Sequence, residues 1–557
     1  MKKTQKILYL GLVIIIASFL CLQAGAITAV KMNNDLSSNE KCFIPNGMKQ
    51  IPFELKNLRN SMKTTAMAGN VLISEDSDKD DYWPAITKDG AGHIAVTWTH
   101  TVSILDCDPG IAWSDDNGDT WTVNQLVVDG LQRYADIAFL QGSKYDQETG
   151  VYDGLWLSCN DELNEAANLG VLHDITDPSG WEVYSTNAQS LPSVKYCCIE
   201  DDSYYLMPDF TYTGPVEFRI DSGQGTEDEW MLLWHGADLS GYVSNWDAES
   251  VLDTAPATNP DLAPVHDSDP AWTNGDFFYA VAQHNNEDTG KSEIAIKRDV
   301  PTVQADIEYV DDQFYLVSGT TFDAADPEIA TTGNGDKVVV VYMINDNAGG
   351  DWDIQCSYSS NQGQTWETST IASEPQVDEG YPAIYMLGDN VYCVYIKQGN
   401  LYLVQSEDAG ATWGSAEQVN SVDGTVLEEE NSADIHPAGV VWTDTQNGDK
   451  DVYFASGVAA PELAINSISG GFGVSAEIAN AGTAAANNVQ WSIDLEGGLV
   501  LVGAHADGTI STLAPGASQT VKIGFVLGFG GVTITVAADG ATKTASGTVL
   551  GPFVIGL

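Results

Sequence analysis

One short unit recurs through the middle of the chain, and its spacing limits the possible folds more than any other feature. The unit is an acidic residue, then Pro or Ala, then an apolar strand, a Gly/Asp/Asn turn and a second apolar strand. It reads Asp81-Tyr82-Trp83-Pro84-Ala85-Ile86 followed by His93 to Trp98. It returns as Asp326-Pro327-Glu328-Ile329 followed by Lys337 to Tyr342, and as Glu379-Gly380-Tyr381-Pro382-Ala383-Ile384 followed by Val391 to Tyr395. Further copies begin at Asp269-Pro270-Ala271-Trp272 and at His436-Pro437-Ala438-Gly439, with weaker ones near Tyr134-Ala135-Asp136-Ile137 and Leu191-Pro192-Ser193-Val194. The Pro positions are 84, 135, 192, 270, 327, 382 and 437, so most intervals lie between 51 and 57 residues.

A period near fifty with short alternating strands is the spacing of a β-propeller, in which each sheet buries its faces only by stacking on its neighbours. The expected fold class is all-β: a six- or seven-bladed β-propeller, seven being favoured, plus a C-terminal β-sandwich. The last copy runs short at Asp451 to Ala455, and the strand Asn70 to Ser74 is placed to complete it and close the ring. No helical period persists beyond the first thirty residues. From Pro461 the composition shifts to Gly, Ala, Val and Thr, with alternating segments such as Phe472 to Ile478 and turns at Asn480-Ala481-Gly482 and Leu513-Ala514-Pro515-Gly516. The expected division is a signal peptide at 1–26, a linker at 27–69, a propeller at 70–461 and an immunoglobulin-like sandwich at 462–557.

Three segments share the pattern Ser-x-Asp/Asn-x-Gly-x-Thr-Trp. They carry Asp116, Gly118 and Trp121, then Asn361, Gly363 and Trp366, then Asp408, Gly410 and Trp413. Their tryptophans fall 37, 39 and 31 positions after the Pro position of the same unit. The acid or amide accepts hydrogen bonds from its own turn, Gly permits a positive φ, and Trp plugs the hairpin. The pattern resembles the Asp box, or BNR repeat, of sialidase-like propellers, and the resemblance spans residues 70–461. It implies a structural hairpin between third and fourth strands, away from the functional face. The turns after Pro461 resemble those of cell-adhesion-related immunoglobulin-like domains, which implies attachment or spacing and not catalysis.

Sialidases use three converging arginines, a tyrosine nucleophile with a Glu partner and an Asp acid/base. This chain has four arginines. Arg59 lies in the expected linker, Arg219 and Arg298 read as third-strand ends on the far face, and Arg133 alone reads as placed on the functional face. The triad is therefore not evident. The expected site is the rim where innermost strands begin, with Asp81, Tyr82, Arg133, Asp136, Asp269, Asp326, Glu379, Tyr381, Asp434 and His436 as candidates. Lys195 and Asp267 lie nearby in this reading. Converging carboxylates there can bind a cation or serve as acid and base on a glycan, or can simply cap loops.

Net charge narrows the partners. The chain has 23 Lys plus Arg against 79 Asp plus Glu; residues 64–461 hold 12 and 70 of them, residues 462–557 hold 2 and 6. Such a surface repels nucleic acid and anionic lipid. Asp76, Asp78 and Asp80 alternate in a way that can hold calcium, as do the acids near Asn345 to Asp353, but neither has the Gly and distal Glu of an EF-hand loop. The seven cysteines after the signal show no CxxC or His-Cys cluster, which argues against zinc. Lys2, Lys3 and Lys6, the apolar run Ile7 to Leu22 and Ala24-Gly25-Ala26 read as an export signal, leaving no transmembrane span in the mature chain. The combined expectation is a secreted or cell-surface protein that binds an extracellular glycan or glycoprotein without catalysis and meets the cell envelope through its C-terminal domain. An exo-acting glycoside hydrolase and a structural envelope protein are the alternatives.

Overall fold

Runs of Val, Ile and Tyr long enough to be buried on both faces dominate the sheet interiors. Val338 to Ile344 and Val391 to Ile396 are buried residue by residue, so each strand is covered on both sides. The computed structural model describes residues 32–33, 49–50, 53–63, 70–74, 79–88, 93–144, 151–161, 166–172, 181–185, 194–199, 213–220, 230–236, 246–252, 257–265, 277–286, 290–301, 307–308, 313–332, 335–346, 350–456, 461, 463–482, 484–539 and 541–557. Among the described residues all regular structure is β. The expected export signal, Cys42 and Asp269 lie outside them.

The chain is an all-β protein, a β-propeller followed by a β-sandwich. Before residue 457 the described strands form seven antiparallel sheets. Numbered as blades in chain order, their first strands are Asp81–Lys88, Gln132–Lys144, Val194–Ile199, Ala257–Val265, Asp323–Thr331, Glu379–Leu387 and Ala433–His436. Each of these touches the first strand of the next blade, and Ala433–His436 touches Asp81–Lys88, so the cycle closes. Blade 7 has three strands of its own and receives Asn70–Leu72 as a fourth, paired with Asp451–Ser456 in the register Asn70 to Ala455. This is the closure that the sequence suggests.

Two expectations shift phase. Blade 4 begins at Ala257, so its repeat element is Asn259-Pro260-Asp261-Leu262 and not Asp269-Pro270. Blade 7 begins at Ala433, so His436 ends the first strand instead of opening it. In both blades the acid follows the Pro or Ala of the element, as Pro260-Asp261 and Ala433-Asp434, and a search keyed on acid-before-Pro lands late. The expected linker is also not wholly irregular. Met32–Asn33, Lys49–Gln50 and Glu54–Lys63, which contains Arg59, pair along the outer edges of blades 4, 2 and 1. Extra pairing of this kind shields edges that would otherwise offer free backbone groups.

The buried apolar clusters lie between blades. Ile294 and Tyr279 of blade 4 share one with Val340 and Trp366 of blade 5. Val339 and Cys356 of blade 5 share another with Cys393 and Val404 of blade 6. Trp98 and Trp121 of blade 1 pack with Val441 and Phe454 of blade 7. Cys107, Cys159, Cys356 and Cys393 are buried free thiols and contribute as small apolar groups.

The three Ser-to-Trp boxes join third to fourth strands and repeat one hydrogen-bond pattern. In blade 1, Ser114 Oγ donates to Asp116 Oδ1 and accepts from the Gly118 amide, while the Thr120 amide donates to Asp116 Oδ1 at 2.7 Å. The same bonds link Ser359, Asn361, Gly363 and Thr365, and again Ser406, Asp408, Gly410 and Thr412. Each box leans on the preceding blade. Trp121 meets Phe454 edge-on at 5.1 Å, and Trp413 Nε1 donates to Ser369 Oγ at 3.0 Å. The hairpins are thus clamps between blades.

The sandwich has its own core, including Ile478, Val489, Ile493, Val526 and Ile534. Leu463–Ser469, Val474–Asn480 and Ser518–Ile523 form one sheet; Ala486–Glu496, His505–Leu513, Leu527–Ala538, Ala541–Gly551 and Phe553–Ile555 form the other, joined by Leu499–Val502. It docks on the turn between the first and second strands of blade 6. The Asp389 amide donates to Asn487 O at 3.2 Å, Asn390 Nδ2 donates to Ala485 O at 3.1 Å, and the Asp389 carboxylate binds Lys337 and Asn488. That turn lies at the opposite end of the ring from the starts of the first strands.

The clamp role yields a graded expectation. Gly118 has φ 87°, and a Cβ there would stand 2.4 Å from the Phe454 ring. At Gly363, with φ 72°, the nearest atoms would be 3.5 Å away. Gly118→Ala should cost roughly 2–4 kcal/mol, from backbone strain plus overpacking, and Gly363→Ala roughly 1 kcal/mol from strain alone. Urea denaturation of both variants checks this; equal losses would mean that Phe454 does not press on the blade 1 hairpin.

Candidate functional site

A β-bulge in the first strand creates the site. Pairing of first with second strand slips between Tyr82 and Ala85, Thr258 and Asp261, Ala325 and Glu328, and Gly380 and Ala383, and blade 2 slips at the same place. In four blades one residue of the bulge adopts a left-handed backbone: Trp83 at φ 57°, Tyr134 at 51°, Asp326 at 52° and Tyr381 at 56°. Non-glycine residues, and bulky ones above all, pay for this conformation, and bulges of this kind re-aim side chains. Here they present three aromatic residues and an aspartate at the end of the ring where first strands begin.

Two of the aromatics form a platform. Trp83 of blade 1 and Tyr134 of blade 2 stack with centroids 4.2 Å apart and planes 10° from parallel. Tyr82 meets Trp83 edge-on at 4.4 Å, and Lys450 Nζ lies 4.8 Å from the Tyr82 ring centre. Behind the platform Tyr82 is buried with Cys107; burial first, then Cys107, pushes its phenol up to about 12. Arg133 is half-buried and hydrogen-bonds Cys107, and its positive charge favours the anionic forms of Cys107 and Tyr82, partly opposing the effect of burial. Ile104 and Leu105 cap the turn between the second and third strands of blade 1 on the same side, 89% and 63% exposed.

Tyr381 belongs to blade 6, separated from blade 1 by blade 7. Burial and then the carboxylates of Asp326, Glu430, Glu428 and Glu429 raise its phenol. Asp326 is buried, with its amide facing Gln283. Glu379 is 1% exposed, accepts the Glu374 amide at 3.2 Å and lies 3.8 Å from Lys397 Nζ; burial pushes its carboxyl up to about 7. Asp81 is fully buried, and one of its oxygens takes Trp98 Nε1 and His100 Nδ1, both at 2.7 Å. Asp81 and Glu379 therefore brace the start of their strands from within.

Two residues past the left-handed position, the strands face the channel with Asp136, Glu328 and, in the corresponding place, Asp261 and Asp434. Asp434 accepts the Ile86 amide of blade 1 at 2.8 Å, and Asp261 accepts the Ile329 amide of blade 5 at 2.7 Å. Each bond stitches one blade to the next. Burial, then the charges of Asp261, Asp326, Asp434 and Asp136, holds Glu328 well above the ordinary range.

The rim expected from the sequence thus separates into layers. Tyr82, Arg133, Asp326, Tyr381, Asp81 and Glu379 lie at the mouth, the last two beneath it. Asp136 and Asp434 line the channel. His436 lies farther down, where Ala438 donates to its Nδ1 at 3.3 Å and burial drives its pKa down to about 3, so it stays neutral. Arg298 falls at the far end as expected. Arg219 does not: it belongs to a second strand and pairs with Tyr196 near the start of blade 3, which sets its backbone on the mouth side. Of the aspartates considered for calcium, Asp76 and Asp78 lie outside the described residues, and Asp80 accepts the Lys450 amide at 3.2 Å. Asp351 and Asp353 bond to the Gln376 amide and Ser373 hydroxyl. Among the described residues no three His, Cys, Asp or Glu side chains are grouped to hold a metal ion. Sequence reasoning missed Trp83 and Tyr134 as site residues, although each stands directly before a Pro position of the repeat.

Residues 469–546, within the sandwich, match the family model described as CARDB. No curated protein matches the chain. Similar solved structures include an α-L-arabinanase from Penicillium chrysogenum complexed with arabinobiose, with 13% identity over 72% of this chain and 99% of that one and a TM-score of 0.37. Polysaccharide lyase Uly1 shows 12% identity over 70% and 93%, with a TM-score of 0.41. The β-propeller domain of the Trilobed protease from Pyrococcus furiosus shows 9% identity over 68% and 94%, with a TM-score of 0.38. The architecture of this chain is read from its own strand pairing.

Two buried acids, one in the channel and one beneath the mouth, set a pH dependence. Burial raises Asp434 from 3.8 to about 6, and Glu379 moves the same way from 4.5 to about 7. With folded values above unfolded ones, the folded chain holds extra protons in those intervals. This contribution to stability is complete below the unfolded values and is lost as pH rises through about 6 to 7. The melting temperature should therefore fall between about pH 5 and about pH 8. Asp434→Asn, which cannot ionise but keeps an acceptor for only one of the amides of Ile86 and Ile435, should lower stability overall and flatten that fall; an unchanged slope would remove Asp434 from the account.

Proposed function

We propose that the protein is a secreted or cell-surface, sialidase-like propeller that binds an extracellular glycan or glycoprotein at the channel mouth, without catalysis. The stacked Trp83–Tyr134 pair carries this reading. Backbone strain holds two flat, half-buried rings at the rim, and flat apolar faces flanked by carboxylates and an arginine suit sugar rings, whose C–H faces pack on aromatics while their hydroxyls take hydrogen bonds. The Ser-to-Trp boxes support the Asp-box relationship through their shared bond pattern. The C-terminal sandwich, with its CARDB match, serves as the link to the cell envelope.

One observation favours a second reading, an exo-acting glycoside hydrolase. Glu379, at the mouth end of blade 6, has a carboxyl raised to about 7, the range in which an acid can donate a proton near neutrality. The two readings separate experimentally. A glycan array should identify a ligand for the wild type, and Trp83→Ala should weaken its binding at least about tenfold, roughly 1.4 kcal/mol, in a chain that remains folded at the assay temperature by circular dichroism. Retained affinity in Trp83→Ala would remove the mouth from the binding site. Turnover of chromogenic glycosides by the wild type, lost in Glu379→Gln, would replace the binding reading with the hydrolytic one.

A further inference from the structure

The outer face of the larger sandwich sheet carries a ladder of apolar side chains. Strand register pairs Leu499 with Phe529, Phe529 with Leu550, and Leu550 with Phe553. Cross-strand partners share a face, so the four form one row across four strands. The inward neighbours Val549 and Val554 are buried, which fixes the row on the outside. Ile555 continues it along its strand, and the Phe553 ring meets Phe472, which in turn meets Phe525 at 5.3 Å. These seven residues are between 41% and 60% exposed. At roughly 200 Å² for a full side chain of this size they present about 700 Å² of apolar surface, above the patch of about 300–600 Å² usual on a monomer.

We propose that this face is the contact surface for a second copy of the chain, two sandwiches packing outer sheet to outer sheet about a two-fold axis. The area is close to the roughly 800 Å² per partner of a standard stable interface, and a two-fold contact needs only one self-complementary patch. Charge points to the same occupant. The sandwich segment holds 2 basic and 6 acidic residues, whereas the propeller segment holds 12 and 70, so two copies meet with least repulsion through their sandwiches. The placement also allows it. The hydrogen bonds to the propeller come from Ala485, Asn487 and Asn488, at the opposite end of the sheet from Phe529, since Leu527–Ala538 runs from the ladder to Asp539 beside the docking turn; Ala541–Gly551, which begins next to Asp539, also meets the first strand of blade 2. No part of the mouth is involved, so this inference stands apart from the proposed glycan site.

Sedimentation velocity on the full chain, from about 0.1 to about 100 µM, tests it. The wild type should pass from monomer to dimer within that range, and Phe529→Lys with Leu550→Lys should remain monomeric with an unchanged melting temperature. Leu550→Lys alone serves if the double variant loses its fold, and Ile104→Lys at the mouth should dimerise as the wild type does. A wild type monomeric throughout, a dimer that survives Leu550→Lys, or a monomer that floats with neutral phosphatidylcholine vesicles would each overturn the proposal, the last in favour of a lipid surface.

Discussion

Burial shared between neighbouring sheets is the interaction on which the rest of the molecule depends. Each four-stranded sheet has two apolar faces, and one sheet cannot cover both. The clusters that join Tyr279 to Val340, Cys356 to Cys393 and Trp98 to Phe454 are cores that belong to pairs of blades. The box hairpins and the channel carboxylates reinforce the same seams from outside and inside. Trp121 presses on Phe454 at the periphery, while Asp434 holds the Ile86 amide at the axis. A seam sealed at both radii resists sliding of one sheet over the next.

The mouth follows from this arrangement because the axis is where the geometry is tightest. First strands crowd together there, and the bulge relieves the crowding by turning one residue out of the ladder. The residue turned out is Trp83, Tyr134, Asp326 or Tyr381, and its left-handed backbone is tolerated because flanking strands fix it. One local device thus accounts for the aromatic rim, while in blades 4 and 7 the channel carboxylates Asp261 and Asp434 bond to the next blade's backbone. Carboxylates that look alike in the sequence end in different work: Asp434 stitches blades, Asp81 anchors Trp98 and His100, and Asp326 sits at the rim.

Much of the fold was legible in the sequence because its signals are local and repeated. Strand runs, the Ser-to-Trp boxes and the short last blade with its partner at Asn70 each follow from a few adjacent residues. The phase of blades 4 and 7 was harder, since blade 4 carries Asn259-Pro260-Asp261 at its bulge and blade 7 opens with Ser432-Ala433-Asp434, and neither has an acid before Pro. Which of the candidate acids face the channel was not legible, and Asp261 and Glu328 were not among the candidates, because this depends on strand register and on a slip of one residue. The same holds for Arg219, whose position changes ends of the ring once its strand is second and not third. The outward ladder of the sandwich was hidden for a similar reason: Phe529, Leu550 and Phe553 look like ordinary strand residues until pairing places them side by side.

The pairing of Asn70 with Ala455 has a kinetic meaning. As the polypeptide is synthesised, the strand that completes the ring is made first and its partner in blade 7 last, so the early strand must wait unpaired while nearly four hundred residues emerge. Until the two meet, the first and last blades each expose an apolar flank, and the half-built ring is open to association with other chains. The dense acidic charge of the intervening segment then acquires a second value, in keeping such waiting intermediates apart through mutual repulsion.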